Sequence, residues 1–156
     1  MSAQHNHSDA KATEYVTFTV GDQLFGLPIA QVQDVFMPGR LTPVPTAPEE
    51  FAGVLNLRGR IVTAIDMRIR LGMNRRDGSE QPMAVGIEIE GESYGLLIDV
   101  IGEVLKLNPA EQQPVPANLD GGLSRFACGI YRLEDQLLVV LDVLRLLTMQ
   151  GEARAA

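Results

Sequence analysis

The chain has 156 residues, of which 46% are hydrophobic and 21% charged, and its formal net charge is −7. This composition is typical of a folded soluble protein, and the acidic balance argues against nucleic acid or an anionic membrane surface as a partner. The single cysteine, Cys128, excludes an intramolecular disulfide, and its apolar neighbours predict a small buried side chain.

The N-terminal half begins with residues 1–13, which are polar and without periodicity and therefore predict a disordered tail. Alternating apolar side chains predict a strand over residues 14–20, and a turn at Gly21-Asp22 returns the chain as a second strand up to residue 27. Because proline fits the first position of a helix, Pro28 predicts a short helix over residues 29–35.

Residues 36–48 hold four prolines and predict a loop, in which Val44 fits a short edge strand. Strands are predicted at 51–57 and 60–65, on either side of a turn at Arg58-Gly59. Asp66 is the predicted N-cap of a helix over residues 67–71, since its carboxylate can accept the first free N–H groups. Residues 72–81 are polar and predict a connector.

The C-terminal half follows the same order. Strands are predicted near residues 83–89, after a turn at 90–92 up to residue 98, and over 100–107, then a proline-bearing loop over 108–124, then strands near 125–133 and 136–141. Asp142 is the predicted N-cap of a helix over residues 143–147. Residues 148–156 predict a flexible C-terminal tail.

The two halves share landmarks at an offset of roughly 70 residues, which indicates an internal duplication. The sequence therefore predicts an all-β protein of two tandem small barrels with short helices, the barrel halves lying roughly at 14–71 and 82–147. The strands at 95–98 and 137–141 are apolar on both faces, so we expect the second face to be covered by the sister barrel or by a partner. The matched landmarks are Phe25-Gly26-Leu27 with Tyr94-Gly95-Leu96, Gly53-Val54 with Gly129-Ile130, and Asp66 with Asp142.

Catalytic chemistry is not apparent in the sequence. Both histidines, His5 and His7, lie in the predicted tail, and the cysteine and histidine cluster of a zinc site is absent. We therefore predict a protein that is not an enzyme, with no catalytic residue, no metal site and no cofactor. Chemistry that uses carboxylates alone stays open, as does weak metal binding by the two histidines.

Two features exceed the needs of a core and a surface. Phe36 and Met37 are bulky apolar residues in a proline-rich loop, and they fit either a contact surface or, for Phe36, a plug for its own barrel. Arg58 lies at a turn and is either a solvated side chain or the partner of Asp34, whose carboxylate its guanidinium could hold.

Several segments of the sequence, including the N-L-R-G turn at residues 56–59, resemble the CheW family, the coupling proteins of bacterial chemotaxis. The resemblance runs from residue 14 to residue 147, and its most specific part is the N-L-R-G turn followed by an apolar strand and Asp66. It implies two SH3-like five-stranded barrels that share a hydrophobic seam. The other matching segments are Phe18-Thr19-Val20-Gly21, Phe25-Gly26-Leu27-Pro28-Ile29 and Val32-Gln33-Asp34-Val35.

The resemblance also implies a function. Proteins of this family bridge the cytoplasmic tip of a methyl-accepting chemoreceptor to the regulatory domain of the chemotaxis histidine kinase. The matching receptor-binding positions here are Val32, Gly53, Arg58, Val85, Gly95 and Ile101. The matching kinase-binding positions are Asp34, Val35, Phe36 and Met37, and Asp34 stands where the family typically has glutamate.

Several alternatives stay open. The adaptor could serve a pilus-type or other non-flagellar chemosensory pathway. A small-barrel nucleic-acid binder is disfavoured by the 5% aromatic content and the negative charge. A carboxylate-only hydrolase would require an acidic pair in a cleft. We expect a cytoplasmic protein, recruited to membrane-associated receptor arrays without inserting into the membrane.

Overall fold

A computed structural model describes residues 12–78 and 81–147. Within these residues the chain forms ten strands, three short 3-10 helices and the helix α1 (Met67–Arg70), and residues 143–147 are also helical. The strands are β1 (Thr13–Val20), β2 (Gln23–Pro28), β3 (Val32–Phe36), β4 (Phe51–Leu57), β5 (Arg60–Asp66), β6 (Met83–Ile89), β7 (Glu92–Ile98), β8 (Val100–Leu107), β9 (Ala127–Arg132) and β10 (Leu137–Leu141). The 3-10 helices are Ile29–Gln31, Pro109–Glu111 and Asp120–Phe126.

The ten strands form two five-stranded sheets. Sheet I has the order β8-β1-β2-β10-β9, and sheet II has the order β3-β6-β7-β5-β4. The all-β class with two five-stranded barrels and short helices is therefore confirmed. No helix in the described residues is long and apolar enough to cross a membrane.

The internal duplication governs both sheets. If β1–β5 are matched in order with β6–β10, the strand order of sheet I becomes that of sheet II. In each sheet a hairpin from one half of the sequence joins three strands from the other half, through a parallel pair (β2 with β10, β7 with β5) and an antiparallel pair (β1 with β8, β6 with β3). Each barrel thus contains an exchanged hairpin.

This exchange corrects the predicted barrel halves. Residues 14–71 and 82–147 are the two repeats of the sequence, but neither repeat is a barrel. The 3-10 helix Ile29–Gln31 carries the chain from sheet I to sheet II after β2, and a single residue, Asp99, carries it back after β7. Of the predicted tails, residues 1–11 and 148–156 lie outside the described residues, and Thr13 is already the first residue of β1.

Each barrel is closed by the segment that follows its first edge strand. Thr42, after β3, exchanges two backbone hydrogen bonds with Val54 of β4, both of 2.9 Å. Gln113, after β8, does the same with Ile130 of β9 at 2.8 and 3.0 Å. The predicted edge contact at Val44 is therefore made two residues earlier, by Thr42.

Three apolar clusters hold the fold together. One cluster lies within sheet I and contains Tyr15 and Leu138, and another lies within sheet II and contains Val62 and Leu97. The largest cluster, which we call the shared core, takes nineteen buried residues from both sheets and the segments between them. Alternate residues of one strand therefore serve different clusters, and the prediction that the sister barrel covers the second face is confirmed.

Two local predictions are wrong. Residues 32–35 of the predicted helix belong instead to the edge strand β3, because Val32 and Val35 favour extended backbone and pair with β6. Cys128 is exposed, since its neighbours Ala127 and Gly129 take the buried positions of β9. Partial desolvation, followed by the charge of Asp142, raises the pKa of its thiol.

Asp99, the residue between β7 of sheet II and β8 of sheet I, stabilises the place where the chain crosses between the two sheets. Its carboxylate is 11% exposed and pairs with Nη2 of Arg68 at 2.7 Å and with Nη2 of Arg76 at 2.9 Å, and the Gly21 N–H donates to it at 2.7 Å. Burial of this carboxyl acts to raise its pKa, but the hydrogen bonds from Arg68, Gly21 and Arg76 outweigh it, so its pKa lies below the usual range. The first hairpin, α1 and the connector thus meet at one partly buried charge.

The exchanged hairpins predict that neither sequence half folds alone. When residues 1–78 and 79–156 are produced separately, each should lack a cooperative urea transition by circular dichroism, because its hairpin has lost its partner strands. An equimolar mixture should regain the transition. A half that unfolds cooperatively as a monomer would mean that its hairpin can return to its own repeat, contrary to this prediction.

Asp99→Asn should lower the free energy of unfolding at pH 7 by about 2 kcal/mol, because two partly buried arginines lose a counter-charge. The wild-type contribution is present above the ordinary carboxyl pKa of about 4 and is lost as the pH falls through the lowered folded value. Urea titrations at pH 7 and at about pH 3 should therefore show the variant and wild type converging in acid. The exposed turn residue Asp22 provides the control Asp22→Asn, and an unchanged gap at low pH would contradict the assignment.

Candidate functional site

The N-L-R-G motif forms the tight turn between β4 and β5. Arg58 and Gly59 both have positive φ values, 53° and 85°, as a two-residue type I′ hairpin turn requires. The Asn56 side chain accepts a hydrogen bond from the Gly59 N–H at 2.9 Å and fixes the turn. An arginine in this left-handed conformation costs about 1–2 kcal/mol, and such strain is often retained where a side chain has a function.

Arg58 makes the predicted ion pair with Asp34. Its Nη1 lies 3.2 Å from Asp34 Oδ2, and the two side chains are 75% and 26% exposed. An exposed pair of this kind contributes at most about 1 kcal/mol to stability. The pair therefore serves to orient two charged groups on the surface more than to hold the fold. Asp34 lies on the strand β3, not at the end of a helix.

Gly86 is a site residue that the sequence analysis missed. It is the register partner of Asp34, and a Cβ at this position would lie 2.3 Å from Asp34 Oδ1. Only glycine leaves room for the carboxylate to lie over β6 and reach Arg58. The available signal was a glycine inside an otherwise apolar strand, which often marks close approach of a neighbouring chain.

The other predicted kinase-binding residues divide between surface and interior. Val35 and Met37 are 38% and 64% exposed, and they lie at the end of β3 and directly after it. Phe36 packs against the sheet II cluster, and its ring lies 3.3 Å from a Cβ placed on Gly95. Of the two interpretations of Phe36, the structure supports the barrel plug.

Three predicted receptor-binding residues are buried. Val85 has no exposed surface and belongs to the shared core. Gly95 is buried on β7 beneath Phe36 and Val62. Gly53 is buried on β4 with a φ of 146°, where an added Cβ would lie 2.7 Å from the Thr42 carbonyl oxygen of the barrel closure.

The last two positions, Val32 and Ile101, are partly buried at the edge of the shared core. Val32 begins β3 of sheet II, and Ile101 lies on β8 of sheet I opposite Phe18. The structure thus joins Asp34 to the exposed Arg58, and the exposed Val35 and Met37 lie close to Asp34 along the chain; we call these four residues the ion-pair surface. Val32 adjoins it along β3, and Ile101 lies on the edge strand of the other sheet.

Among the residues that the structure describes, there is no group of three or more histidine, cysteine, aspartate or glutamate side chains that could hold a metal ion. The ion-pair surface presents two opposite charges beside exposed apolar side chains. Such a surface is suited to contact with another protein.

Comparisons with known proteins identify the chain. The family model of the CheW-like domain matches residues 14–151. A probable chemotaxis protein CheW of Rhizobium etli is 30% identical over 144 residues, covering 92% of each chain. The protein FrzA of Myxococcus xanthus is 30% identical over 110 residues, covering 69% of this chain and 67% of its own.

A solved structure is also similar. The scaffolding protein TtCheW of Thermoanaerobacter tengcongensis superposes with a TM-score of 0.77 at 29% identity, covering 84% of this chain and 89% of its own. The likeness covers most of the chain and agrees with the two-barrel architecture described above.

The burial of Gly53 predicts a structural cost on substitution. Gly53→Ala should lower the free energy of unfolding by about 1–3 kcal/mol, because alanine is strained at this φ and its Cβ would press on the Thr42 carbonyl. Urea denaturation is the measurement. Gly78→Ala is the matched control, since an added Cβ there meets no atom within 4 Å; equal stability of the two variants would contradict the closure role of Gly53.

Proposed function

The chain belongs to the CheW-like family, whose members are scaffolding adaptors and not enzymes, and from this premise we propose which partners it couples. One partner is the cytoplasmic tip of a methyl-accepting chemoreceptor. The other is the regulatory domain of the chemotaxis histidine kinase. The protein acts in the cytoplasm, at membrane-associated receptor arrays.

The observation that carries this proposal is the Arg58–Asp34 ion pair. Arg58 matches a receptor-binding position of the family, and Asp34 matches a kinase-binding position. The 3.2 Å contact between them joins the two proposed contact regions in one surface. A partner that binds one of these two side chains therefore changes the position of the other. This linkage is the physical requirement for coupling two binding events.

The proposed mechanism is differential binding without a chemical reaction. A receptor state that alters its contact with Arg58 changes the geometry that Asp34, Val35 and Met37 offer to the kinase. The kinase population then shifts by the difference in binding free energy between its states. A coupling of about 1–3 kcal/mol is enough to change an affinity by roughly 5–150-fold.

The buried positions have an indirect role in this proposal. Val85, Gly53 and Gly95 support the surface instead of touching a partner. Val85 belongs to β6, the strand that pairs with β3, and its burial holds β6 in place. Gly95 leaves room for the Phe36 ring, and Gly53 lets the Thr42 backbone bridge to β4 and close the barrel. Val32 and Ile101 keep part of their surface available for an apolar contact with the receptor.

A second pathway is possible for the same adaptor. The likeness to FrzA supports a role in a non-flagellar chemosensory pathway, with the same two kinds of partner. The pathways would differ in which receptor and kinase bind the ion-pair surface, and binding measurements with each pair of partners distinguish them.

Arg58→Ala should leave the fold intact and weaken partner binding by about tenfold, because it removes the charge that orients Asp34. The labelled protein is titrated in NMR spectra with a receptor-tip helical hairpin and, separately, with a kinase regulatory domain. Shifts should cluster around Val32, Arg58 and Ile101 for the receptor and around Val35 and Met37 for the kinase.

The matched control is Arg75→Ala. Arg75 and Glu49 also form an exposed ion pair, with side chains 65% and 67% exposed, away from the motif residues. This variant should bind both partners as the wild type does. If Arg58→Ala kept its affinity for both partners, the ion-pair surface would not be the contact region.

A further inference from the structure

The edge strand of each sheet contains a β-bulge at the same place of the internal duplication. In sheet II, Gln33 and Asp34 of β3 lie opposite the single residue Gly86 of β6. In sheet I, two residues of β8 likewise lie opposite the single residue Thr17 of β1, and the second of the two is Glu103. Asp34 thus occupies the place of Glu103, and a glycine occupies the place of the threonine. The chain therefore contains two versions of one bulge, a feature that re-aims the side chains around it.

In sheet I the side chain on β1 fills the bulge. Thr17 is 3% exposed, and its hydroxyl donates to the backbone carbonyl oxygen of Glu103 at 2.5 Å. Gly102 leaves room for this hydroxyl, since an added Cβ there would lie 2.5 Å from it. The Glu103 side chain is exposed, and the turn residue that matches Arg58 in the duplication is Glu134. The β8 edge therefore has no opposite charge at the place where β3 has one.

In sheet II the arrangement is reversed. Gly86 has no side chain, and the Asp34 side chain of the edge strand takes the space, so that a Cβ added to the glycine would overlap Asp34 Oδ1. From this place Asp34 Oδ2 lies 3.2 Å from Arg58 Nη1. The same added Cβ would lie 3.3 Å from the ring of Phe36, two residues further along β3. One glycine therefore makes room for both the charged and the aromatic side chain of this segment.

We propose that Gly86 is the positioning residue of the ion-pair surface. Because position 86 is glycine where position 17 is threonine, the β3 edge presents a paired carboxylate to a protein partner and the similar β8 edge does not. Gly86 is buried, so it acts through Asp34 and not by its own contact with a partner. That the partner is the kinase regulatory domain rests on the proposed function, whereas the positioning of Asp34 does not.

The first test is made on the free protein. Gly86→Ala should separate Asp34 from Arg58, because the added methyl group takes the space of the carboxylate. The measurement is the NMR signal of the Arg58 guanidinium, for which Asp34→Ala provides the unpaired reference. In Gly86→Ala this signal should move to the reference position. A signal that stays at its wild-type position would overturn the proposal.

The matched control is Gly95→Ala, at the register partner of Gly86 on β7. The two side chains nearest to its added Cβ are those of Phe36 and Val62, at 3.3 and 3.4 Å. This variant crowds the same aromatic ring but leaves the space of the carboxylate open. The Arg58 signal should therefore stay at its wild-type position in Gly95→Ala, even though the core is disturbed.

The second test is binding of the kinase regulatory domain, measured by titration of the full-length protein. Gly86→Ala should weaken binding by about tenfold, as Asp34→Ala should. The double variant should bind no more weakly than either single variant, because the glycine acts only through the carboxylate. Effects that add in the double variant would overturn the positioning role. If the Arg58 signal moves but neither single variant loses affinity, the positioning role is supported and the kinase assignment is wrong.

Urea denaturation of the same four proteins provides a further readout, which also serves if Gly86→Ala folds poorly. Gly86→Ala should lower stability less in the Asp34→Ala background than in the wild type, because the overlapping carboxylate is absent there. Equal losses of stability in the two backgrounds would contradict the assignment, since the methyl group would then be crowding something other than Asp34.

Discussion

Both barrels depend on the shared core, because their central strands are apolar on two faces and each barrel interior covers only one. Burial of a large apolar side chain contributes about 1.5–3 kcal/mol, and nineteen buried residues form this core. Losing half of that burial would exceed the net stability of a typical domain, about 5–15 kcal/mol. The two barrels therefore form one unit, and a partner bound to one of them acts on a rigid body.

The internal two-fold symmetry holds where the fold requires it and fails where the surface is specialised. Both barrels close through the same backbone bridge, and the backbone N–H groups of both capping aspartates donate to the segment before β4 or β9, to Glu50 and to Phe126. The contacts between the two sheets are not symmetric. Asp99 contacts two arginines and the first turn, whereas the exposed Leu144 lies at the duplicated position that matches Arg68.

Much of the fold was predictable because it depends on local patterns. The boundaries of β4 and the hairpin turns follow from alternation and glycine, and both aspartate caps are confirmed: Asp66 accepts from the Arg68 N–H, and Asp142 from the Arg145 N–H. The error at β3 arose because Pro28 and the spacing of Ile29, Val32 and Val35 suit a helix as well as a strand. The duplication contained the information that corrects this error, since β3 is the counterpart of β8, which was predicted as a strand and is one. Within the site, the Asp34–Arg58 pair was foreseen, but the room that Gly86 provides was not.

The sequence by itself determined the duplication, the all-β class, the turns and the family, because these follow from residue type and spacing along the chain. Only the tertiary structure decided that each half contributes its hairpin to the other barrel, and hence which predicted site residues are exposed. Val85, Gly53 and Gly95 look equivalent to Arg58 as motif positions, yet they are buried. Their burial depends on contacts between residues far apart in the chain, and local pattern carries no information about which of two similar sheets a strand will join.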